Sequence, residues 1–446
     1  MLKKIGIILS TVLAFSCSKK DVFDSDSNLP EIKTNQGVLD FVQTFGGSKN
    51  DAAKSVVKTQ DGGYAIAGYS QSNNADITDK TDDSFDFWVM KFTENSTLSW
   101  SKTFGGSVND RANDIIQTSD GGFAVLGFSE SKDIDVSNNE GFQDFWIAKL
   151  AQNGALTWQK SFGFSGLDYG TSLVQTTDNG YLLTGVLDVS ASGGLGNAKT
   201  SQKHAGGDIW VIKISADGIL EWSRYFGGTF TDTAYGVEKT PDGGFIIVGS
   251  SDSDDVDIAN NKGAYDFWVL KIAATGTLLW EKSFGGSEID EARGIVATND
   301  GNFLIVGDTR SANQDITFNN GAADVWLLKI TSEGEIIWQK TIGATSFDVA
   351  RSISKTNDNA YIISGSSRSS DNGFTNQGQN DALIIKVDNN GNIVWQKTIG
   401  GSEIDILYDA VEINNTAIIA VGETNSADKD VPENKGFSDA LLIKIK

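Results

Sequence analysis

The chain of 446 residues carries a formal net charge of −23 and contains one histidine and one cysteine. So acidic a protein repels nucleic acid, and we expect no nucleic-acid partner. A single histidine argues against a histidine-based metal centre and against a serine–histidine–aspartate triad. The sequence also contains no glycine-rich phosphate-binding loop at the start of a helix.

Residues 1–16 have the form of a signal peptide. Two lysines precede an apolar run over residues 5–15, which is too short to span a bilayer. The segment 13–17 resembles a bacterial lipobox, and this resemblance implies that Cys17 becomes the lipidated N-terminus. The alternative is a plain secretory signal with a free thiol, which is the weaker explanation for the only cysteine of an exported chain.

Residues 17–36 are rich in Ser, Asp, Lys and Asn and show no apolar periodicity. We interpret them as a flexible, lipid-anchored tether. Ser18 follows the lipid-bearing cysteine, and by resemblance to the enterobacterial sorting rule this residue argues against retention in the inner membrane. We therefore predict an outer-membrane protein that contacts the membrane through its lipid, with exposure at the cell surface left open.

Residues 37–446 repeat one unit seven times, with restarts near 45, 104, 162, 226, 284, 342 and 399. Each copy holds four short strand-like runs and no helical pattern. In the second copy these runs cover residues 112–118, 123–128, 144–150 and 155–160. Because four antiparallel strands cannot bury both faces of their sheet alone, the copies must stack around an axis. We predict an all-β fold, a seven-bladed β-propeller of four-stranded antiparallel blades.

The two ends of the repeat region complement each other. The seventh copy stops at Lys446, after its third strand, and therefore lacks a fourth. Residues 37–45 match the fourth strand of the other copies, with Phe41 in place of their tryptophan. We predict that this N-terminal strand completes the last blade and removes an open sheet edge that would promote aggregation.

Two aspartates and two aromatic positions recur from copy to copy. One aspartate follows the FGG turn, as in Asp110, and another begins the third strand, as in Asp144. A residue needed in every copy more often holds the blade together than performs one reaction, so we expect hydrogen bonds in turns and no catalytic residue. All eleven tryptophans fall in the third and fourth strands, and we expect them to pack between blades.

The copies differ three residues after the first recurring aspartate. Near the start of the innermost strand, and hence around the mouth of the central channel, they carry Lys54, Asn113, Thr171, Tyr235, Arg293, Arg351 and Tyr408. The cations and phenols of this set are candidate ligands for a glycan or an anionic group, namely Lys54, Tyr235, Arg293, Arg351 and Tyr408. The alternative role is neutralisation of the neighbouring aspartates.

The third copy is longer than the others, and the extra length falls in residues 190–207. Lys199, Lys203 and His204 in this loop form a second candidate contact site, although a tolerated surface insertion explains the length equally well. Asp-rich loops such as 252–257 offer the oxygen ligands that Ca²⁺ prefers but lack the EF-hand order. We predict no cofactor and no metal centre, with a structural calcium as an open alternative.

The pattern FGGSxxDxA, TxDGG, DxWxxK and GxLxWxK resembles the tandem propeller repeats in lipoproteins and secreted proteins of Bacteroidota, and more distantly the quinoprotein-like propellers. The resemblance is specific for fold and not for activity. We expect a non-catalytic, lipid-anchored module that binds or scaffolds a protein or a glycan at the outer membrane. The alternatives are a carbohydrate-active enzyme with paired carboxylates and an accessory subunit of an outer-membrane uptake or secretion complex.

Overall fold

The computed structural model describes residues 35–193, 204–413 and 417–446. In these ranges 28 strands form seven sheets of four antiparallel strands. The predicted fold is therefore confirmed as a seven-bladed β-propeller. The predictions for residues 1–34, including Cys17, and those for Lys199 and Lys203 fall outside the described residues.

The first strand, β1 (Leu39–Phe45), belongs to the last blade. Blade 1 holds β2 (Asp51–Lys58), β3 (Tyr64–Ser70), β4 (Asp86–Phe92) and β5 (Leu98–Phe104). Blade 2 holds β6 (Asp110–Gln117), β7 (Phe123–Ser129), β8 (Asp144–Leu150) and β9 (Leu156–Phe162). Blade 3 holds β10 (Tyr169–Gln175), β11 (Tyr181–Asp188), β12 (Gly207–Ile214) and β13 (Leu220–Phe226). Blade 4 holds β14 (Asp232–Lys239), β15 (Phe245–Ser251), β16 (Asp266–Ile272) and β17 (Leu278–Phe284).

Three blades complete the ring. Blade 5 holds β18 (Asp290–Ala297), β19 (Phe303–Thr309), β20 (Asp324–Ile330) and β21 (Ile336–Ile342). Blade 6 holds β22 (Asp348–Lys355), β23 (Tyr361–Ser367), β24 (Asp381–Val387) and β25 (Ile393–Ile399). Blade 7 holds β26 (Asp405–Ile413), β27 (Ala417–Thr424), β28 (Asp439–Ile445) and β1.

One short helix, α1 (Val189–Ser192), follows β11, although the sequence predicted none. It lies in the longer loop of the third copy. The Asp188 side chain accepts a hydrogen bond from the Ala191 amide at 2.9 Å, and Gly193 ends the helix with a left-handed φ of 64°. These two caps explain how so short a segment becomes helical.

The hydrophobic core is divided among the interfaces between neighbouring blades. Seven buried clusters each combine residues of two adjacent blades, including one that joins blade 7 to blade 1. Strand β8 is buried at every position, whereas the outer strand β9 is partly exposed. A third strand is covered on both sheet faces, which is why its sequence DFWIAKL is almost continuously apolar.

The tryptophans pack between blades as the sequence predicted. A Cβ atom added to Gly154 of blade 2 would lie 3.0 Å from the Trp100 ring of blade 1, so the indole lies directly on this turn. Trp146 of the third strand is fully buried, 4.4 Å from the Phe87 ring of blade 1, and its indole N–H donates to Gln159 at 3.0 Å. The aromatic contact joins neighbouring sheets, while the hydrogen bond orients the indole within its own blade.

Strand β1 closes the ring by pairing antiparallel with β28, which confirms the predicted closure. The Val38 amide donates to the Lys446 carbonyl at 2.7 Å, and the Lys446 amide donates back at 2.8 Å. Asn35, which the sequence analysis placed in the tether, is buried, and its Nδ2 donates to the Ile445 carbonyl at 2.9 Å. The attachment to the last blade thus begins two residues before the predicted boundary.

The first recurring aspartate organises the turn that links two blades. Asp110 is fully buried and accepts hydrogen bonds from the Gly106 amide at 2.7 Å and from the Ser131 hydroxyl at 2.8 Å. The equivalent Asp290 accepts from the Gly286 amide at 2.7 Å. These contacts match the side-chain to backbone bonding expected from the sequence.

Candidate functional site

Each innermost strand contains a β-bulge, and the bulge selects the residue that faces the channel. In blade 1 the pairing of β2 with β3 passes from Ala53 to Ser55 and skips Lys54. The same skip in the other blades falls on Asn113, Thr171, Tyr235, Arg293, Arg351 and Tyr408. Because a bulge redirects the extra side chain, the seven variable residues of the repeat share one orientation. We call these seven residues the bulge ring.

A glycine in every second strand makes room for the bulge. A Cβ atom built on Gly68 would lie 2.0 Å from the Ala52 carbonyl oxygen of the neighbouring strand. The corresponding distance is 1.8 to 2.0 Å in all seven blades, at Gly68, Gly127, Gly185, Gly249, Gly307, Gly365 and Gly422. Any side chain at this position would clash with the backbone of the innermost strand. This repeated glycine within a strand was the sequence signal for the bulge.

The bulge ring surrounds two adjoining cavities at the mouth of the channel. The outer chamber, about 320 Å³, is lined by the bulge ring and Tyr169. The inner chamber, about 170 Å³, is lined by the bulge ring and the residues that follow it in the innermost strands. The structure therefore brings together the five candidate ligand residues that the sequence analysis placed at the channel mouth.

Arg293 is held in a fixed orientation and retains a free donor. Its guanidinium carbon lies 4.1 Å from the centroid of the Tyr235 ring, and one terminal nitrogen donates to Glu291 at 2.8 Å. The side chain is 15% exposed. Its Nε atom is buried and has no hydrogen-bond partner among the described residues. The Nε atom of Arg351 is likewise buried and has no hydrogen-bond partner among these residues.

Lys54 lies at the same mouth, with its Nζ atom 3.1 Å from the centroid of the Tyr408 ring. Within the described residues it forms no ion pair and no hydrogen bond. Burial lowers the pKa of Lys54 to about 7, against the attraction of Glu423. Three guanidinium groups lower this pKa further, those of Arg351, Arg111 and Arg293. An amine with this pKa changes its charge near neutrality.

Two carboxylates that were not among the predicted site residues line the inner chamber. Asp114 on β6 and Asp409 on β26 occupy a position where the other five blades carry Ser or Gly. The Ser55 hydroxyl lies 3.0 Å from Asp114 Oδ1 and 3.2 Å from Asp409 Oδ2. One hydroxyl donates only one proton, so both contacts are hydrogen bonds only when one carboxyl is protonated.

The same carboxylates tie the innermost strands together. Asp114 accepts from the Ser172 hydroxyl at 3.1 Å and the Leu173 amide at 3.0 Å, both in blade 3. Asp409 accepts from the Val56 amide of blade 1 at 2.9 Å. Burial raises the pKa of Asp409 to about 6, opposed by the Val56 amide and reinforced by the charge of Asp114. The departure from Ser or Gly at this repeat position was the available sequence signal.

His204 lies apart from the bulge ring. It is buried, its Nδ1 atom is 2.5 Å from Asp208 Oδ2, and its ring packs edge-on against Tyr225 at 4.9 Å. Its Nε2 atom lies 3.8 Å from a carboxylate oxygen of Asp257 in blade 4. By its position four residues before the recurring aspartate Asp208, His204 corresponds to Lys262, which precedes Asp266 of blade 4 by the same spacing. The structure thus places it at a blade interface.

The aspartates of the long loops cap the turns between blades. Asp133 accepts from the Ser107 amide at 2.8 Å, and Asp135 accepts from the Gly105 amide at 3.3 Å. In the described part of the chain, no group of three or more His, Cys, Asp or Glu residues is arranged to hold a metal ion. Structural calcium therefore stays a prediction from composition. No helix within the described ranges is long and apolar enough to cross a bilayer.

No protein-family model matches this sequence, and no curated protein matches it. Among solved structures, Sqt1 from Chaetomium thermophilum is similar at 10% identity, covering 92% of this chain and 99% of that chain with a TM-score of 0.44. The Neurospora crassa Pan2 WD40 domain is similar at 10% identity, 93% and 97% coverage and a TM-score of 0.44. A luciferin-regenerating enzyme is similar at 10% identity, covering 72% of this chain and 87% of that chain with a TM-score of 0.35. With TM-scores this low, the propeller assignment rests on the strand topology described above.

Proposed function

We propose that this chain is a non-catalytic, lipid-anchored propeller of the outer membrane that binds or scaffolds a protein or a glycan through its channel mouth. One observation carries the proposal. The positions that build the blades repeat almost unchanged, whereas the seven positions of the bulge ring differ and converge on one cavity. A surface that varies on a uniform scaffold is the expected place for specific recognition.

The composition of the bulge ring supports recognition rather than stability. The ring places Lys54, Arg293 and Arg351 together, and buried, unpartnered guanidinium atoms do not stabilise a fold. The alternative explanation for these cations, that they neutralise the recurring aspartates, is weaker. Asp110 and Asp290, for example, already receive backbone and hydroxyl hydrogen bonds in their own turns.

The membrane setting of this proposal rests on the N-terminal sequence, with Cys17 as the lipidated residue. We expect replacement of Cys17 by Ser to release the protein from the membrane fraction, because no acyl chain would then anchor it. Membrane pelleting after a high-salt wash measures this release. If the Ser variant still pellets with membranes as the native protein does, the anchor assignment is wrong.

The proposal is tested by a crosslinked pull-down from native membranes, with the same protein applied to a glycan array. The double variant Arg293→Gln/Arg351→Gln should lose the captured partner or glycan, since it removes two donors at the mouth. Arg224→Gln is the matched control, because Arg224 lies on the outer strand β13 of blade 3. Equal capture by the double variant and the native chain would refute the channel mouth as the binding site.

One specific observation favours a second function, a carbohydrate-active enzyme. Asp114 and Asp409 form a carboxylate pair that occurs once in the ring, faces a chamber and shares the Ser55 hydroxyl. Such pairs supply the acid and base of glycoside hydrolysis. Hydrolysis of an array-positive glycan that is lost in Asp114→Asn and Asp409→Asn would establish this function. A stoichiometric membrane partner without any glycan signal would instead indicate an accessory subunit of an uptake or secretion complex.

A further inference from the structure

We infer that the outer chamber binds an acidic sugar, with the sugar carboxylate held by Arg293, Arg351 and Lys54. This inference rests on the proposed function and specifies the ligand class for the same site. Four properties of the channel mouth lead to it. They are its unpartnered guanidinium nitrogens, its positive charge, its polar lining and the protonation state of Lys54.

The free donors suit a carboxylate. The Arg293 guanidinium lies over the Tyr235 ring and is also held by its hydrogen bond to Glu291. The Glu291 carboxylate occupies one terminal nitrogen, while Nε lacks a partner among the described residues. Arg351 Nε offers a second buried donor at the same mouth. Guanidinium edges bind planar carboxylates through paired hydrogen bonds, which are among the strongest in proteins.

The charge at the mouth is opposite to that of the protein. The chain as a whole carries −23, yet three cations line the outer chamber, Lys54, Arg293 and Arg351, and the charge of Arg111 also acts on Lys54. The acidic groups near them are Glu291, Glu423 and Asp308. Burial raises the pKa of Asp308 to about 6 although Arg293 opposes it, so this carboxyl gives up part of its charge in mildly acidic solution. The lining of the outer chamber itself includes Lys54, Arg293 and Arg351 and no carboxylate, so a ligand anion placed there contacts cations first.

The lining of the outer chamber favours a sugar over an acidic peptide. None of the seven bulge-ring side chains is aliphatic, and the residues besides the cations offer an amide, a hydroxyl and phenols. The Asn113 amide and the Thr171 hydroxyl each donate to a backbone carbonyl, which leaves their oxygens as acceptors. A chamber of about 320 Å³ has the size of a small-ligand pocket rather than that of a protein interface.

Lys54 couples ligand binding to proton uptake. Its Nζ atom lies on the Tyr408 ring, the charges of Glu423, Arg111, Arg293 and Arg351 act on it, and Asp114 and Asp409 line the inner chamber beside it. Since the pKa of Lys54 is about 7, part of the free protein carries an uncharged amine at neutral pH. A carboxylate placed among these groups stabilises the ammonium form. Binding therefore takes up a proton, and affinity falls as the pH rises through 7.

The test is calorimetric titration of the full-length chain with D-glucuronate and D-galacturonate, with glucose and glucuronamide as uncharged counterparts. We expect the uronates to bind roughly tenfold or more tightly than the uncharged sugars, since each lost charge-assisted hydrogen bond costs about a factor of ten. Arg293→Gln and Arg351→Gln should each weaken uronate binding by about the same factor. Arg224→Gln should not change it. Unchanged thermal melting of the variants verifies that they fold.

The proton uptake is measured separately, by titration in buffers of different ionisation enthalpy at pH 6, 7 and 8. The native chain should take up a fraction of a proton, and Lys54→Arg should bind uronate without this uptake because arginine stays charged. Equal affinity for glucose and glucuronate, or unaltered binding in both arginine variants, would overturn the inference. Binding of an acetylated diglutamate peptide but not of uronates would overturn the sugar assignment.

Failure of this inference is distinguishable from failure of the proposed function. If uronates do not bind while the Arg293→Gln/Arg351→Gln variant loses its partner in the pull-down, the channel mouth still binds a ligand and only the ligand class is wrong. If neither experiment depends on the two arginines, both the inference and the proposed binding site fall together.

Discussion

Asp178 and Asp232, at opposite ends of the blades, experience opposite electrostatic conditions. At the turn end, where a hairpin joins the first two strands, the Thr176 hydroxyl and then Lys213 lower the pKa of Asp178 to about 2. At the loop end, where blades are linked, burial raises the pKa of Asp232 to about 7. The same residue type is thus a stabilising, ionised partner at one end and a buried group that favours its proton at the other.

The turn end is uniform. In six blades a lysine of the third strand pairs with the hairpin aspartate, as Lys91–Asp61, Lys149–Asp120, Lys213–Asp178, Lys271–Asp242, Lys329–Asp300 and Lys386–Asp358. The loop end carries the bulge ring, in which no such uniformity holds. One end of the ring thus repeats the same ion pair, while the other carries the variable residues to which we assign the proposed binding role.

The largest expected effect comes from opening the ring, on which both ends depend. Deletion of residues 38–44 removes β1 and exposes the edge of β28, so the domain should unfold or associate through the free edge. Size-exclusion chromatography and thermal melting measure this outcome. Deletion of residues 20–26 in the predicted tether is the control and should leave both unchanged. An unaltered melting temperature without β1 contradicts ring closure as the source of stability.

Substitution of one glycine at each end compares a steric constraint at the loop end with a backbone-dihedral constraint at the turn end. Gly127→Ala at the loop end places a Cβ 1.9 Å from the Arg111 carbonyl oxygen, so the bulge must distort at a cost of about 3 kcal/mol. Gly121→Ala at the turn end meets no atom within 4 Å and only strains a φ of 80°, which costs roughly 1 to 2 kcal/mol. Denaturant unfolding measures both. A smaller loss for Gly127→Ala than for Gly121→Ala would show that the bulge tolerates a side chain.

The pH dependence of stability should separate the two ends. The loop-end carboxyls Asp86, Asp232 and Asp266 have folded pKa values near 7, against an ordinary value of 3.8, chiefly because of burial. Between these values the folded chain binds more protons than the unfolded chain, so stability increases as the pH falls from 8 to about 5. Turn-end carboxylates with lowered pKa, such as Asp178 and Asp242, then reverse the trend below about pH 4.

Calorimetric melting at one ionic strength measures this profile. Asp232→Asn should reduce the slope between pH 8 and 5, because one loop-end carboxyl no longer takes up a proton. Asp178→Asn is the matched control. It should leave the slope between pH 8 and 5 unchanged and should alter the melting temperature only below about pH 4. A melting temperature that rises steadily from pH 5 to pH 8 is incompatible with protonated loop-end carboxyls.

The most local of the expected effects concerns Lys54. Its folded pKa of about 7 lies below the ordinary value of 10.5 because of burial, so its charge opposes folding at pH 7 and below. Lys54→Met should therefore melt at a higher temperature than the native chain at pH 6, and the difference should shrink as the pH approaches 10. Lys58→Met, at the exposed far end of β2, should show no such convergence. A pH-independent difference would contradict the lowered pKa of Lys54.

Much of the architecture is predictable because its causes are local and repeated. The alternation of strands and turns, the matching ends of the chain and the glycine-rich turns all follow from residues close in sequence. Strand order also predicts which end of the innermost strand faces the loops, and the candidate positions of the bulge ring do line one cavity. The bulge itself was missed, although Gly68 and its equivalents signalled it in every copy.

By itself, the sequence determined the number of blades, the order of strands within them and the closure of the last blade by the first strand. Only the tertiary structure decided which charges meet. Asp114 and Asp409 are far apart in the chain, and they share Ser55 because blades 2 and 7 both flank blade 1 in a closed ring. Burial, which sets the pKa of Lys54 and of the loop-end carboxyls, likewise arises only when neighbouring blades pack together.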